Sequence, residues 1–391
     1  MTSTMTNRGG LDRLQNLALA VGVAGLAACV AGYLSNADQF LRSYLIAFLF
    51  WGGIALGSLG LLMLHHLVGG AWGMLIRRFL ESATRTLPLV AVLLLPLLFN
   101  MPRLYKWAQP GVVAGDAILR HKAAYLNATA FILRSVFYFA FWIVLAFVLN
   151  RWSKEQDQVG PDIPRKKLRQ LSGPGMIFFV LTLSFAAFDW IMSLDPHWYS
   201  TIFGLLLIAG NAIASLAFAI ILLRFTAESE PIAGLVKIDH SHDLGKLMFA
   251  LTMFWAYLDF SQFLIVWSGN LPEEVVWYSV RLTGGWLIIA GIVLVFHFAV
   301  PWTLLLFRRL KKNIRVLALV CFWMLLMRLV DLFWVVSPSL LETHFTIHWL
   351  DIVAPVAVGG LWIGFFARQL KSRPLQPVDM ERLAAYGESH L

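Results

Sequence analysis

Long apolar runs dominate this sequence, and their length constrains the fold more than any other feature. A helix crossing about 30 Å of hydrocarbon needs roughly 20 mostly apolar residues. Backbone polar groups at that depth must be satisfied within the fold, which leaves helices or closed barrels. About ten runs qualify, at residues 14–34, 43–67, 86–99, 131–149, 175–194, 199–223, 244–268, 280–300, 316–336 and 345–366. The third is the shortest, and a full span there extends backward into residues 72–80. The expected fold is an all-α polytopic membrane protein in which residues 1–391 form one integral membrane domain. Residues 14–366 hold the ten helices, between a short N-terminal segment, 1–13, and a tail, 367–391. With 59% hydrophobic and 14% charged residues and a mean hydropathy of +0.72, a soluble monomer is excluded, since soluble domains are about one-quarter charged. The first run lacks a convincing small-residue cleavage site, so it is expected to stay in the mature chain.

The net charge of +9 is spread in short Lys and Arg clusters between apolar runs, a membrane pattern rather than a nucleic-acid one. One set of connections carries Arg8 and Arg13, then the basic stretches 77–85, 151–169, 224–237 and 308–315 and the tail from Arg368. The other set has Arg42, Arg103, Lys106, Arg120 and Lys122 and then no Lys or Arg in its last three loops. Lys and Arg favour cytoplasmic loops, so both termini are expected in the cytoplasm and the span count even. Cys29 and Cys321 each stand alone in an apolar run, leaving no disulfide framework, zinc site or C-x-x-C-H haem attachment sequence. A redox centre would come from another chain or from a non-covalent cofactor.

Ionisable side chains at bilayer depth are costly, so they face the bundle interior and pair or conduct. In that orientation Asp189 lies near the outer end of the fifth run, Asp259 just outward of the middle of the seventh, and Arg328 and Asp331 in the outer half of the ninth. Arg281 opens the eighth run on the same side. Arg328 and Asp331, three residues apart, share a helix face. The functional reading is a polar pocket that takes protons from a quinol or passes them outward, because desolvated carboxyls exchange protons near neutral pH. The alternative is a satisfied ion-pair network that holds helices together.

On the inner side His65 and His66 close the second run, His242 and Lys246 open the seventh, and His297 ends the eighth. Histidine suits proton uptake, and a bis-histidine haem b is the rival reading. The densest stretch is FDWIMSLDPHWYSTIFG, residues 188–204, where Asp195 and His197 flank Pro196 between aromatic residues. It reads as an interfacial hairpin or as the wall of a quinone-type pocket. Glu273 and Glu274 lie on the outer side, and His344 and His348 lack the further ligands that a metal site needs.

Four stretches carry a resemblance: HHLVGGAWG (65–73), FDWIMSLDPHWYSTIFG (188–204), HDLGKLMFALTMFWAYLDFSQFLIVWSGNLPEE (242–274) and RLKKNIRVLALVCFWMLLMRLVDLFW (309–334). They resemble the ActF-type membrane subunits of bacterial alternative complex III, a quinol:cytochrome c (or other periplasmic acceptor) oxidoreductase, over about residues 43–366. The resemblance implies the NrfD or polysulfide-reductase membrane-subunit fold, two related four-helix bundles with peripheral first and last helices. It also implies residence in the bacterial inner membrane. The partners it implies are a paralogous NrfD-like membrane subunit, an iron-sulfur subunit and multihaem cytochrome c subunits, with haem c and iron-sulfur clusters confined to those partners. Menaquinone or ubiquinone is the implied quinone, with no cofactor bound covalently to this chain. Positions carried over are Asp189, Asp195, His197, His242, Lys246, Asp259, Arg328 and Asp331.

The expected function is therefore a respiratory-chain subunit that contributes quinone-facing or proton-conducting residues. Two other classes use the same features. One is a secondary transporter or proton channel, active as the isolated chain; the other is a structural anchor for periplasmic redox subunits, indifferent to loss of its carboxylates.

Overall fold

The computed structural model describes residues 3–159, 162–227, 236–341 and 344–375, with residues 3–8, 159 and 162–163 described in backbone only. Residues 228–235 of the basic 224–237 connection, 160–161 of the 151–169 connection and 376–391 of the tail lie outside the described residues. Among the described residues there is no strand. Ten helices among those residues are long and apolar enough to cross a membrane: Gly9–Ser35 (α1), Ala37–Val68 (α2), Ala71–Phe99 (α3), Ala128–Gln158 (α4), Pro164–Leu194 (α5), Phe203–Thr226 (α6), Ile238–Gly269 (α7), Gly284–Leu306 (α8), Ile314–Leu341 (α9) and Leu350–Lys371 (α10). The protein is an all-α polytopic membrane protein. Ten crossings bring the chain back to the side on which it began, called proximal below; the opposite end is distal.

Among the boundaries that differ from the sequence reading, those of the third and eighth spans do so for local reasons. The third span begins at Ala71, so Arg77 and Arg78 are buried helical residues rather than part of a loop. Pro88 and Pro96, at the starts of the pieces Leu87–Leu93 and Leu95–Phe99, break the same span, as expected of residues that favour the first turn of a helix. Arg281 does not open the eighth span. It ends a separate short helix, Pro272–Arg281, and α8 starts at Gly284, whose φ of 54° disfavours a side chain.

α2 packs on α3, α5, α6, α9 and α10, and is the most enclosed span. α3 also touches α4, and α4 lies against α5, which closes a first group of four; α6 to α9 close a second, with α6 on α7 and α9, and α8 on α7 and α9. α1 lies along α10 outside both groups. Hydrocarbon does not drive helices together, so close association depends on small residues. A Cβ on Gly360 would lie 2.5 Å from the Gly22 nitrogen, and one on Gly25 2.7 Å from the Ala357 Cβ. At the distal end Asp351 on α10 accepts from Ser43 on α2 at 2.5 Å and lies 3.6 Å from buried Arg42.

The two groups of four meet where Gly57 of α2 presses on α6: an added Cβ would sit 2.1 Å from the Asn211 carbonyl oxygen. Backbone cannot yield as a flexible side chain does, so Gly57→Ala is expected to cost about 1–3 kcal/mol. A lowered unfolding midpoint in detergent would show it; an unchanged midpoint would mean that the two groups separate freely. Large apolar side chains such as Leu133 and Phe137 on α4, Tyr257 and Phe260 on α7 and Leu294 on α8 point outward, the surface a bilayer would cover.

Candidate intramembrane polar site

Trp255, Asp259 and Gln262 recur at helical spacing along one face of α7, and Arg328, Asp331, Trp334 and Val335 do the same on α9. The two faces enclose, with Ile191, Phe203, Leu206 and Leu207, a cavity of about 30 Å³. That is room for about two water molecules. On its α9 side Arg328 binds Asp331 one turn further on, and both are buried. Gly210 of α6 makes space for this guanidinium: a Cβ there would lie 2.2 Å from the Arg328 Cζ. Arg328 also reaches Asn211 Oδ1 at 3.5 Å.

Asp259 belongs to two walls. Besides the interior cavity it borders a groove of about 590 Å³ between α7 and α8, lined by aromatic and aliphatic side chains including Trp255, Phe260, Phe263, Tyr278, Leu294 and Trp334. Among the described residues no side chain hydrogen-bonds or ion-pairs with Asp259. Gln262, one turn further toward the distal end, accepts from Ser200 at 2.8 Å and donates to the Tyr278 hydroxyl at 3.2 Å.

Distal to the cavity, and sharing its Trp277 wall, is an open basin of about 400 Å³ lined by Lys106, Asp195, His197, Glu273, Arg281 and Ser339 among others. Arg281 stacks over the Trp277 ring with its Cζ 3.7 Å from the centroid. It donates to the Val335 carbonyl at 2.8 Å and to Ser339 at 2.6 Å, on the turn of α9 that contains Pro338. Ser339 in turn donates to Asp195 at 2.5 Å, and Arg281 lies 3.5 Å from the same carboxylate. Burial pushes the Arg281 guanidinium down to about 10, with Asp195 opposing, so it stays charged at neutral pH. Trp198 stacks on Trp277 at 4.7 Å, fastening the loop after α5 to the helix that holds Arg281. His197 Nε2 is 2.6 Å from Asp116. The Leu119 amide, with the His197 ring and the Ile118 amide, holds the Asp116 carboxyl below its ordinary range.

The five groups that depth estimates place together therefore separate. Asp259, Arg328 and Asp331 border the interior cavity, while Arg281 faces Asp195 at the distal surface. Asp189 borders neither: it takes two hydrogen bonds from Arg134, at 2.8 and 2.9 Å, and one from Tyr138 at 2.8 Å, between α4 and α5. The signal for Arg134 is present in the sequence as the only charge inside the run 131–149, and Tyr138 lies one turn beyond it.

His242 is half-buried and Lys246 exposed at the proximal end of α7, where Lys246 pairs with Asp243 at 3.1 Å. His297 does not end the eighth span but lies buried inside it, against Trp255 at 4.6 Å, in a widened turn of the helix. Pro301, four residues on, has no amide hydrogen to return to the His297 carbonyl, which accounts for the widening. His65 and His66 adjoin one another at the proximal end of α2. Among the described residues no group of three or more His, Cys, Asp or Glu side chains is placed to hold a metal ion.

No protein-family model and no curated protein matches this chain.

Proposed function

We propose that the chain is a membrane subunit of a respiratory quinol-oxidising complex and that a quinol ring enters the α7–α8 groove to meet Asp259. The observation that supports this reading is the double position of Asp259, at the inner end of a large apolar groove and on the wall of a small polar cavity. A quinone needs flat apolar walls and few placed polar groups, and the groove supplies aromatic walls and one carboxylate. Asp259 is free to take a hydroxyl proton because no guanidinium or ammonium claims it. The proton then moves into the cavity beside Arg328, Asp331 and Gln262, and outward past Trp277 to the basin of Asp195, His197 and Glu273. Asp189, tied to Arg134, is not part of this route.

Each quinol gives up two protons and two electrons; the electrons leave to a haem or iron-sulfur centre of a partner subunit, since this chain offers no covalent attachment for one. The partners that fit are multihaem cytochrome c, iron-sulfur and paralogous membrane subunits. The basic residues of the proximal end favour a cytoplasmic placement of both termini; in a bacterial inner membrane this reading releases the protons on the far side. His242 and Lys246 mark the proximal mouth of α7. Lys246 is about 20 Å from Asp259 at 1.5 Å per residue, too far for direct exchange.

The groove is tested by filling it. Ala256→Trp places an indole in the groove beside Asp259 while leaving the carboxylate unchanged. In the assembled complex the quinol concentration for half-maximal rate should rise roughly tenfold, the equivalent of about 1.4 kcal/mol of lost contact. An unchanged concentration dependence with the variant in place would remove quinol from this groove.

A further inference from the structure

The turn between α2 and α3 closes a different cavity, at the proximal end, that quinol chemistry does not use. It measures about 450 Å³, and its polar wall includes His65, His66, Arg77, Arg165, Lys166 and Arg169, with no acidic residue in the lining among the described residues. Three features of the chain build it. Gly69 and Gly70 take φ angles of 75° and 98°, which other residues rarely adopt, and so reverse the chain within two residues. The helical piece Ala71–Thr84 then starts on the cavity wall with Gly70 as its cap and no side chain bonded to its first amides. Such amides, with the partial positive charge of a helix start, favour an anion.

The second feature is His65, which lines the cavity, is only 7% exposed, and has no hydrogen-bond partner for Nδ1. Its ring lies on the first turn of α3 in space that Gly73 leaves open, since a Cβ there would be 2.0 Å from Nδ1. The third is a set of cations not already neutralised. Among the described residues Arg165, Lys166 and Arg169 have no carboxylate partner, whereas Arg77 is held by Glu81 and Gln156.

We infer that this cavity binds a phosphate-type anion, its oxygens taken by the α3 amides beside the His65 ring and its charge by Arg165, Lys166 and Arg169. An anionic phospholipid headgroup and free inorganic phosphate present the same chemistry. Exposed Val68 beside the cavity offers an acyl chain an apolar edge that free phosphate would not use. The inference stands whether or not quinol binds the α7–α8 groove.

The test uses the full chain purified in detergent and its variant Arg165→Gln/Arg169→Gln, both changes at exposed positions. The unfolding midpoint is followed while inorganic phosphate is titrated, and again in nanodiscs of phosphatidylglycerol or phosphatidylcholine; phospholipid phosphorus retained after delipidation is counted. Phosphatidylglycerol should stabilise the parent over phosphatidylcholine and be retained, with affinity falling about thirtyfold in the variant. Stabilisation by inorganic phosphate alone, lost in the variant, assigns the site to free phosphate. Equal responses of parent and variant to both probes overturn the inference.

Discussion

Replacing Glu81 by Gln is expected to destabilise the protein by about 3–5 kcal/mol, the cost of removing one partner from a buried ion pair. Glu81 is 1% exposed and holds two guanidinium groups that are themselves buried: Arg77 Nε at 2.8 Å and Arg78 Nη1 at 2.7 Å. Ser153 of α4 donates to it at 2.5 Å, and Arg373, just past α10, comes within 3.6 Å. Asp157 still holds Arg78 in the variant, whereas Arg77 loses the carboxylate at its Nε and keeps Ser153 and Gln156 among its partners. Unfolding of the purified protein in detergent measures the loss. Arg77→Gln added to Glu81→Gln should recover part of it, because the buried charge that lost its Glu81 partner is then gone. A loss under about 1 kcal/mol would mean that solvent reaches Arg77 and does the work assigned to Glu81. The same cluster fixes the Arg77 wall of the anion cavity, so anion binding should weaken in parallel.

Glu81 also shows where sequence reading stops. The ten spans are legible because apolar length is a property of consecutive residues: seven of the ten runs fall wholly inside one span each, and the other three begin four or five residues before theirs. The basic stretch 77–85 is not legible in that way. Its residues read as a loop because their charges are visible while their partners, Ser153, Gln156 and Asp157 on α4, are not. Asp189 is the same case: its depth is readable, but its saturation by Arg134 and Tyr138 depends on how α4 turns against α5. Arg328 and Asp331 were within reach because their partnership is local, three residues along one helix. For Asp259 the sequence yields depth but not the groove on one side and the cavity on the other. Those arise between helices, from the offset of α8 against α7 and from the space that Gly210 leaves for Arg328.

Asp259→Asn is expected to lower quinol-dependent electron transfer of the assembled complex by about a hundredfold, the lower end of what a positioned proton acceptor contributes. Asparagine keeps the size and polarity of the side chain and loses only the capacity to take a proton. A purely structural role would therefore survive the change, and so would the subunit content of the complex. Asp331→Asn serves as the contrast. It strands the buried Arg328 guanidinium, so it should reduce stability and assembly together, whereas Asp259 has no charged partner to strand. Measuring electron transfer and protons released per electron in the same membranes separates the remaining roles. A fall in rate with normal proton yield places Asp259 at the quinol; a normal rate with fewer protons released places it on the outward path. If both remain at parent values, the quinol-oxidation proposal for this chain fails: the groove is lipid-facing surface, the chain anchors its partners, and quinol is oxidised in another subunit. Proton conduction by the isolated chain in vesicles, abolished by the same substitution, would instead move the protein to the class of channels or transporters, because a subunit that waits on its partners for electrons has no reason to conduct alone.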